Sequence, residues 1–403
     1  MKKFNKIMSV VMASAVTAAL FAGCGNAETG TPAADSSSET EAANETASAS
    51  GVLKIGGIGP TTGSAAVYGI AVQNAAQLAV DEINAAGGIN GVPIEFKFED
   101  DECDAEKSVN AYNTLKDWGM QMLMGTVTSG CSIAVADKTA EDNMFQLTPS
   151  GSAVDCVKYD NAFRVCFSDP NQGAASALYI GENAIASKIA VIYDSSDIYS
   201  SGIYEKFVAE AGNQPFEIVS AEAFTADNKT DFSVQLQKAK DAGAELVFLP
   251  IYYTEASLIL SQASTMGYAP IFFGCDGLDG ILNVENFDTS LAEGVMLLTP
   301  FAADAEDELT QNFVTAYKEK FGDTPNQFAA DAYDAIYAIK AAGEKAGITP
   351  DMDMSAMCEA MKAAMPEITL DGLTGIGMTW DASGEPNKAP KAVKITDGVY
   401  TAM

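Results

Sequence analysis

Two clusters of small hydroxyl side chains follow two short apolar runs in the first half of the chain. The runs are 120–124 and 144–147, and the hydroxyl residues are Thr126, Thr128, Ser129 and Ser132, then Thr148, Ser150 and Ser152. Such runs are typical of buried strands, and the residues after Ser129 have a helical pattern. Adjacent strand ends with hydroxyls and open helix N-termini present donors to an anion. The alternative is that the hydroxyls only cap helices and turns.

The composition restricts what else such a site can use. The 403-residue chain has no histidine, and Arg164 is its single arginine. Histidine-based triads, general bases and metal sites are therefore excluded. A bound carboxylate would depend on hydroxyl and backbone N–H donors unless Arg164 points into the site. The formal net charge of −32 argues against nucleic acid as a partner, because phosphates would be repelled.

Two further patterns suggest cofactors but fail on spacing. The glycines within 56–63 are one residue too far apart for the dinucleotide fingerprint, and Pro60 is misplaced in it. The acidic residues within 99–104 match no EF-hand loop and are better explained as a solvated strand end with a helix cap. No pair among the 55 carboxylates stands out as catalytic. We therefore expect no cofactor, no metal and no enzymatic activity.

Strands and helices alternate strictly, which predicts an α/β fold with parallel sheets and right-handed crossovers. The alternation of residues 94–98 suggests an outer strand. The predicted strands are 52–58, 94–98, 120–124, 144–147, 163–167, 188–193, 216–223, 246–250, 271–273 and 294–299, with short strands within 375–402. The predicted helices are 67–86, 104–117, 130–140, 171–183, 199–211, 229–242, 255–266, 305–321, 327–346 and 353–364. The pattern restarts after about 168, and the length predicts two domains.

The N-terminus has the features of an export signal. Three lysines precede the apolar run 7–21, which is too short for a membrane span, so 1–23 is interpreted as a signal peptide. Residues 20–24 resemble the lipobox of bacterial lipoproteins, with Phe21 where leucine is usual, and Cys24 is the predicted lipidation site. Residues 24–50 are poor in large apolar side chains and predict a disordered tether. We expect an extracytoplasmic protein, lipid-anchored to the outer face of the cell membrane.

The order of motifs resembles the substrate-binding lipoproteins of ABC transporters, in the branched-chain amino acid (leucine/isoleucine/valine) class. The most specific motif is the Asn-Ala-Ala-Gly-Gly-Ile-Asn-Gly turn at 84–91. The others are Gly-Pro-Thr-Thr-Gly at 59–63 with Tyr68-Gly69, 100–104, Gly125 with Thr128-Ser129, 148–152, Phe163-Arg164, Tyr199 ahead of Gly202, and 332–335. The resemblance covers about 51–400.

The resemblance implies a two-lobed type I periplasmic-binding-protein fold. Each lobe would be a mostly parallel sheet flanked by helices, with three hinge crossings and the ligand in the cleft between lobes. The implied boundaries are 51–168 and 301–374 for lobe 1, and 169–300 and 375–403 for lobe 2.

The resemblance also implies roles for individual residues. Ser129 would hold a ligand carboxylate with its hydroxyl and N–H, with Thr128 beside it. The Ser150 carbonyl would face the ligand ammonium, and Ser152 would touch both charged groups. The remaining implied ligand-binding residues are Gly151 between these serines, Tyr68 from lobe 1, Tyr199 and Tyr252 closing from lobe 2, Asp276 paired with the ammonium, and Phe328 as an apolar wall. The alternatives are packing roles for the aromatic residues and a turn role for Asp276.

Two positions depart from the family pattern. Where the family has a cysteine bridged to the position of Cys103, this chain has Thr128, and Cys131 is the nearest cysteine. A bridge between Cys103 and Cys131 is one option, and the pairing stays open for Cys103, Cys131, Cys156, Cys166, Cys275 and Cys358. Asp276 replaces a glutamate, which shortens its reach by one methylene.

The expected function is therefore that of a monomeric substrate-binding component of an ABC importer. It would bind an apolar amino acid, branched-chain or related, and deliver it to the permease subunits in the membrane. Two alternatives remain open from the sequence. One is a binding protein for a short amide, urea or aromatic acid, and the other is a ligand-sensing module for a receptor.

Overall fold

The structure of the chain is a computed structural model that describes residues 51–403. The predicted signal peptide 1–23, the lipidation site Cys24 and the tether 24–50 lie outside the described residues. Among the helices of 51–403, none combines the length and apolar character that a membrane crossing requires.

The first sheet has five parallel strands in the order β2-β1-β3-β4-β5, which confirms the predicted parallel sheet. These strands are β1 Leu53–Gly59, β2 Ile94–Asp100, β3 Met122–Gly125, β4 Phe145–Thr148 and β5 Ala162–Arg164. Every residue of β3 and β4 is buried, as expected where helices cover both faces of a parallel sheet. β2 lies at the edge, in agreement with its predicted position.

The second sheet has seven strands in the order β12-β11-β10-β9-β8-β6-β7. Its strands are β6 Lys188–Asp194, β7 Glu217–Phe224, β8 Leu246–Leu249, β9 Ile271–Gly274, β10 Met296–Thr299, β11 Lys391–Thr396 and β12 Val399–Ala402. The pairs from β6 to β10 are parallel, whereas β11 and β12 pair antiparallel. Only these last two strands form within the predicted 375–402 region.

Ten α-helices flank the two sheets within the described residues. They are α1 Ala66–Ala85, α2 Ala105–Trp118, α3 Ser129–Asp142, α4 Asp169–Glu182, α5 Ile198–Ala211, α6 Ser233–Asp241, α7 Tyr253–Thr265, α8 Glu308–Phe321, α9 Gln327–Ala346 and α10 Met354–Ala364. The helices α1–α3 and α8–α10 pack with the first sheet and form lobe 1 with it. The helices α4–α7 pack with the second sheet and form lobe 2. This arrangement confirms the two-lobed α/β fold.

The helix ends follow signals that are visible in the sequence. The Asp104 carboxylate accepts hydrogen bonds of 2.9 Å from the N–H groups of Glu106 and Lys107 at the start of α2. The acidic stretch 99–104 is thus a strand end with a helix cap, as expected. It is not solvated throughout, however, because Asp101 is buried. Asn326 caps α9 through the N–H of Ala329, and Gly347 ends this helix in the left-handed conformation, which glycine adopts at little cost.

The chain passes between the lobes three times. The first crossing follows β5 at 165–168, the second follows β10 at 300–307, and the third precedes β11. β5 ends at Arg164. The next residues, Val165, Cys166 and Phe167, are apolar because they are buried in the crossing, and an apolar run of this kind has the pattern of a strand. The predicted strand 163–167 was too long for this reason.

The segment before the third crossing is held on lobe 1. Trp380 Nε1–H donates a 2.7 Å hydrogen bond to the carbonyl of Arg164. Lys388 and Asp331 form a 2.7 Å ion pair in which both side chains are buried. The predicted lobe boundary at 374/375 stays a prediction, and these contacts join 380–388 to the lobe 1 side.

The six cysteines of the described region are free thiols. The Cys103 thiol lies 3.6 Å from the Thr128 hydroxyl, next to Cys131. The bridge between Cys103 and Cys131 that the sequence left open is therefore not formed in this structure.

Candidate functional site

One cavity between the lobes gathers nine of the ten predicted ligand-binding residues. It is lined by Tyr68, Val127, Thr128, Ser129, Ser150, Ser152, Tyr199, Tyr252, Asp276, Gly277 and Phe328. Gly151 is the exception, and Val127 and Gly277 are additions that the sequence analysis did not name. The ligand-binding role of these residues stays a prediction, but their convergence is a property of the fold.

Lobe 1 contributes the open N-terminus of α3. Thr128 occupies the N-cap position, and its side chain caps none of the first N–H groups of the helix. These N–H groups lack partners within the helix and, with the helix dipole, favour a negative charge at this end. The start of α3 therefore offers an anion-binding end to the cavity.

Ser129 lines the cavity, and two backbone N–H groups donate to its hydroxyl oxygen. Its Oγ accepts hydrogen bonds from the N–H groups of Ser152 at 3.2 Å and Ala153 at 3.1 Å. A hydroxyl has two acceptor positions and one donor. Because both acceptor positions are used, the O–H of Ser129 is left for a ligand acceptor.

Other hydroxyls of the two clusters bind mostly backbone carbonyls of the loop after β3. Ser150 Oγ donates to the Val127 carbonyl at 2.7 Å, and Thr148 Oγ1 donates to the Thr126 carbonyl at 2.5 Å. Ser132 Oγ lies 2.9 Å from Thr126 Oγ1. These hydroxyls therefore join the β3 and β4 loops, and Ser129, Ser150 and Ser152 line the cavity. Their role as donors to an anion stays a prediction.

Asp169 is a neighbour of the site that the sequence analysis missed. It opens α4 directly after the first crossing, lies beside Ser152, and neither of its carboxylate oxygens has a hydrogen-bond partner of good geometry. Burial raises the pKa of Asp169 well above its ordinary value. The sequence signal that could have indicated Asp169 is an acidic residue in the first turn of a helix that follows a lobe crossing.

Asp276 brings a carboxylate from lobe 2. It follows β9 and begins the 3-10 turn Asp276–Leu278. Its Oδ1 accepts a 2.6 Å hydrogen bond from the Tyr199 hydroxyl, and its Oδ2 accepts a 3.0 Å bond from Gln172 Nε2. Burial raises the pKa of Asp276 to about 7, although these two hydrogen bonds oppose the increase. The charged form is therefore costly unless a positive charge is nearby.

Gly277 is required by the close approach of Tyr199. A Cβ at Gly277 would lie 2.6 Å from the Tyr199 hydroxyl oxygen, which is closer than real atoms allow. That oxygen also accepts the Gly277 N–H at 2.9 Å. The glycine thus lets the backbone pack against the group that holds Asp276.

Aromatic rings form the remaining walls. The Tyr68 and Phe328 rings have centroids 4.1 Å apart, and the Tyr199 and Tyr252 rings stack at 5.0 Å. Tyr68 also contacts Tyr252 edge-on, with centroids 5.7 Å apart. The hydroxyls of Tyr68 and Tyr199 are used by protein partners, so these rings offer mainly apolar surface to a ligand.

The lobes touch directly across the cavity. The Tyr68 hydroxyl of lobe 1 donates a 2.5 Å hydrogen bond to the Gly277 carbonyl of lobe 2. Gln327 Nε2, at the start of α9, donates to the Asp276 carbonyl at 2.8 Å. The cavity left between the lining residues is only about 10 Å³, room for about one water. A ligand of amino-acid size therefore requires the side chains or the lobes to move apart.

Arg164 does not point into the cavity. Its guanidinium is buried and donates to the carbonyls of Gly151 at 3.0 Å and Ala153 at 2.9 Å, and it lies 3.2 Å from the Glu385 carboxylate. Gly151 is held by this contact and by its N–H bond to Thr148 Oγ1 at 2.8 Å. Arg164 thus shapes the loop that carries Ser152 and leaves the cavity without a side-chain cation.

Within residues 51–403, no group of three or more carboxylate or thiol side chains is arranged to hold a metal ion. The residues that line the cavity offer hydrogen-bond donors, one carboxylate and apolar rings.

Comparison with known proteins identifies the family to which this fold belongs. A model of the periplasmic binding protein family matches residues 52–398. The chain is 32% identical over 335 residues to "Leu/Ile/Val-binding protein homolog 3" of Brucella melitensis, which covers 82% of this chain and 89% of the relative. It is 30% identical over 320 residues to the "Leucine-, isoleucine-, valine-, threonine-, and alanine-binding protein" of Pseudomonas aeruginosa, with coverages of 78% and 83%.

Solved structures agree with the sequence relatives. The branched-chain amino acid transporter substrate binding protein LivJ of Streptococcus pneumoniae, solved in complex with isoleucine, superposes with a TM-score of 0.79 at 29% identity. That match covers 87% of this chain and 98% of the LivJ chain. Since the family match and both relatives span the two lobes and the cleft between them, the chain belongs to the periplasmic binding protein family and has its type I fold.

Proposed function

We propose that the chain is the substrate-binding component of an ABC importer, which holds an apolar amino acid between its lobes and delivers it to a permease. The observation that carries this proposal is the pairing within one cavity of an anion-binding helix end with a buried carboxylate. An amino acid zwitterion has the complementary charges. The names of the relatives, which bind leucine, isoleucine and valine, support the same ligand class.

The ligand carboxylate would lie at the start of α3. It would accept the Ser129 hydroxyl hydrogen, which the bonds from Ser152 and Ala153 leave free, together with N–H groups of the first helical turn. Hydrogen bonds to charged groups contribute about 1.5–3 kcal/mol each. Ser152, beside Asp169, would contact both charged ends of the ligand.

The ligand ammonium would pair with Asp276. The Tyr199 and Gln172 bonds fix the carboxylate in place, and an ammonium would supply the positive charge that burial makes favourable. The Ser150 hydroxyl is occupied by Val127, so Ser150 would act through its carbonyl oxygen.

The ligand side chain would lie among the aromatic rings. Tyr68, Tyr252 and Phe328 surround the cavity, and the Tyr68 hydroxyl is already bonded to Gly277. Apolar surface of this kind favours a branched-chain or related side chain over a polar one. Contacts from both lobes would favour the closed arrangement, because a ligand shifts the population toward the state it binds more tightly.

The same proposal includes the cellular context. The protein would act without catalysis, as a monomer outside the cytoplasm, with a lipid at Cys24 as its anchor and the tether 24–50 as its linker to residues 51–403. A permease would receive the ligand when the lobes open.

A thermal-shift screen tests the ligand class. Residues 51–403 would be scanned with the common amino acids, their 2-oxo acids, short amides, urea and aromatic acids. Leucine, isoleucine, valine or a near relative should stabilise the fold by about 2.7 kcal/mol at 100 times its Kd. Stabilisation by an amide, urea or aromatic acid, with no response to any amino acid, would overturn the proposal.

A further inference from the structure

A second, larger cavity lies on the hinge side of the molecule. Its volume is about 530 Å³, and it takes lining residues from the second crossing, from α8 and the loop before α9, and from the β11–β12 edge of the second sheet. Both lobes therefore contribute to its walls. The size is within the range of small-molecule sites.

The cavity contains a buried carboxylate without a matching cation. Asp279 is 5% exposed, and its Oδ2 accepts a 2.8 Å hydrogen bond from the N–H of Gln327. Its Oδ1 has no hydrogen-bond partner of good geometry among the described residues. None of the ion pairs formed within 51–403 includes Asp279. Burial raises the pKa of Asp279 to about 6, although the Gln327 N–H and the nearby Tyr400 hydroxyl oppose the increase.

The surroundings of Asp279 are apolar at depth and acidic at the opening. Phe301, Val314 and Val393 are buried in the cavity wall, whereas Asp304 and Asp323 are exposed at its opening. Lys318 is the single basic side chain of the lining, and it is exposed at the rim. The cavity thus combines an uncompensated negative charge with apolar walls.

We propose that this hinge cavity is a second binding site, which takes a small organic cation: a protonated amine with a compact apolar or aromatic body. The ammonium would pair with the Asp279 carboxylate and supply the hydrogen bond that its side chain lacks. The apolar body would pack against Phe301, Val314 and the ring of Tyr400, which also attracts a cation through its aromatic face. This site is separate from the cleft and does not depend on the proposed amino acid ligand.

The position of the site links it to the arrangement of the lobes. Asp279 belongs to lobe 2, whereas the Gln327 N–H that it accepts belongs to lobe 1. The side chain of the same Gln327 donates to the Asp276 carbonyl at 2.8 Å. An amine that contacts walls from both lobes would therefore stabilise the arrangement seen here.

Calorimetry with phenethylamine at pH 7.5 tests the proposal on the purified full chain, with the uncharged 2-phenylethanol as the matched probe. Phenethylamine should bind the wild type with a Kd below about 1 mM and bind at least about tenfold more tightly than the alcohol. Asp279→Asn, which keeps an acceptor for Gln327, should weaken amine binding about tenfold or more. Asp276→Asn, in the cleft, should leave amine binding within about twofold.

If Asp279→Asn does not fold, a substitution at the opening of the cavity tests the same proposal. Val399 lines the opening and is 55% exposed, so Val399→Trp should narrow the cavity without disturbing the core and should also weaken amine binding. Three results would overturn the proposal: no amine binding at 10 mM, equal binding of amine and alcohol, or loss of binding in Asp276→Asn with retention in the Asp279 and Val399 variants.

Discussion

The two lobes bring different chemistry to the cleft. Lobe 1 supplies uncharged donors, the Ser129 hydroxyl and the open end of α3, whose geometry is fixed by neighbouring backbone groups. Lobe 2 supplies the one carboxylate of the cavity lining, that of Asp276, which is held by side chains 77 and 104 residues away in the sequence. The lobe 1 groups are neutral, and backbone groups of neighbouring loops hold them. The lobe 2 carboxylate is ionisable, and side chains that are distant in the sequence hold it.

This difference indicates where binding energy and selectivity reside. Uncharged donors keep their form at every physiological pH, and losing one costs a moderate amount. A buried carboxylate is costly until a cation accompanies it, and removing one partner of such a pair typically costs about 2–5 kcal/mol. We therefore expect the lobe 2 half to give the larger and more ligand-dependent effects.

Asp276→Asn should produce the largest effect. Affinity for the amino acid should fall at least about 30-fold because the ammonium loses its counter-charge, while the matching 2-oxo acid should be affected much less. Calorimetry on both ligands measures the difference. Asp288→Asn, at an exposed lobe 2 aspartate that caps a turn outside the cleft, is the control and should leave both affinities unchanged. Equal small effects on both ligands in a folded Asp276→Asn protein would remove the ammonium role and leave Asp276 as a turn residue.

Ser129→Ala should have the next largest effect. The loss of a hydrogen bond to the ligand carboxylate should weaken binding about tenfold or more, and it should do so equally for the amino acid and its 2-oxo acid. Ser108→Ala is the control, because Ser108 is a buried lobe 1 serine that donates to a backbone carbonyl at 2.9 Å outside the cavity. An unchanged affinity in Ser129→Ala would show that the lobe 1 half does not hold the carboxylate.

Tyr68→Phe tests the contact that joins the halves. Without the 2.5 Å bond to the Gly277 carbonyl and the 3.3 Å bond from the Tyr253 N–H, the closed arrangement loses two neutral hydrogen bonds. Affinity should therefore fall about fivefold. Tyr112→Phe removes a 2.9 Å bond to Asp142 within lobe 1 and should change stability without changing affinity. If the two variants bind ligand alike, direct contact between the lobes does not contribute to closure.

The pH dependence should be the smallest effect and should come from the charged half alone. The raised pKa of Asp276, about 7, means that part of the free protein is protonated near neutrality. A bound ammonium lowers that pKa, so binding releases a proton and affinity falls as the pH drops through 7. From pH 7.5 to 6.5 the Kd should rise about threefold.

Controls for the pH effect are needed because other acids lie nearby. Asp169 and Asp331 also face Asp276, and burial raises the pKa of each. The Asp276→Asn protein should therefore bind with a nearly constant Kd over this interval. If the Kd of the Asp276→Asn protein still rises threefold over this interval, the titrating group is Asp169 or Asp331 and not Asp276.

The sequence predicts best what local signals determine. The helix 327–346 is predicted to the residue, because Asn326 caps its start and Gly347 ends it. The parallel sheets follow from the alternation of elements. The 3-10 turns within 276–292 were not predicted, since turns of three or four residues carry no periodic pattern.

Most residues that line the cavity could be predicted from the sequence, but their hydrogen-bond roles could not. The motifs indicated nine of the lining residues, yet nothing local shows that Ser129 is left to donate or that Ser150 is occupied by Val127. Asp169 and Gln172 were missed because their proximity to Ser152 and Asp276 depends on how α4 is placed after the first crossing. Roles that depend on distant packing leave little trace in a single sequence.

Arg164 also determines how the third crossing can bend. Through Glu385 and the Trp380 bond to its carbonyl, it makes the returning chain turn with lobe 1, and the ion pair of Lys388 extends that rigid part. Only Ala389 and Pro390 remain before β11 begins. Because the ring of proline fixes φ, this crossing has few free torsions, so we expect it to bend rather than twist when the lobes move.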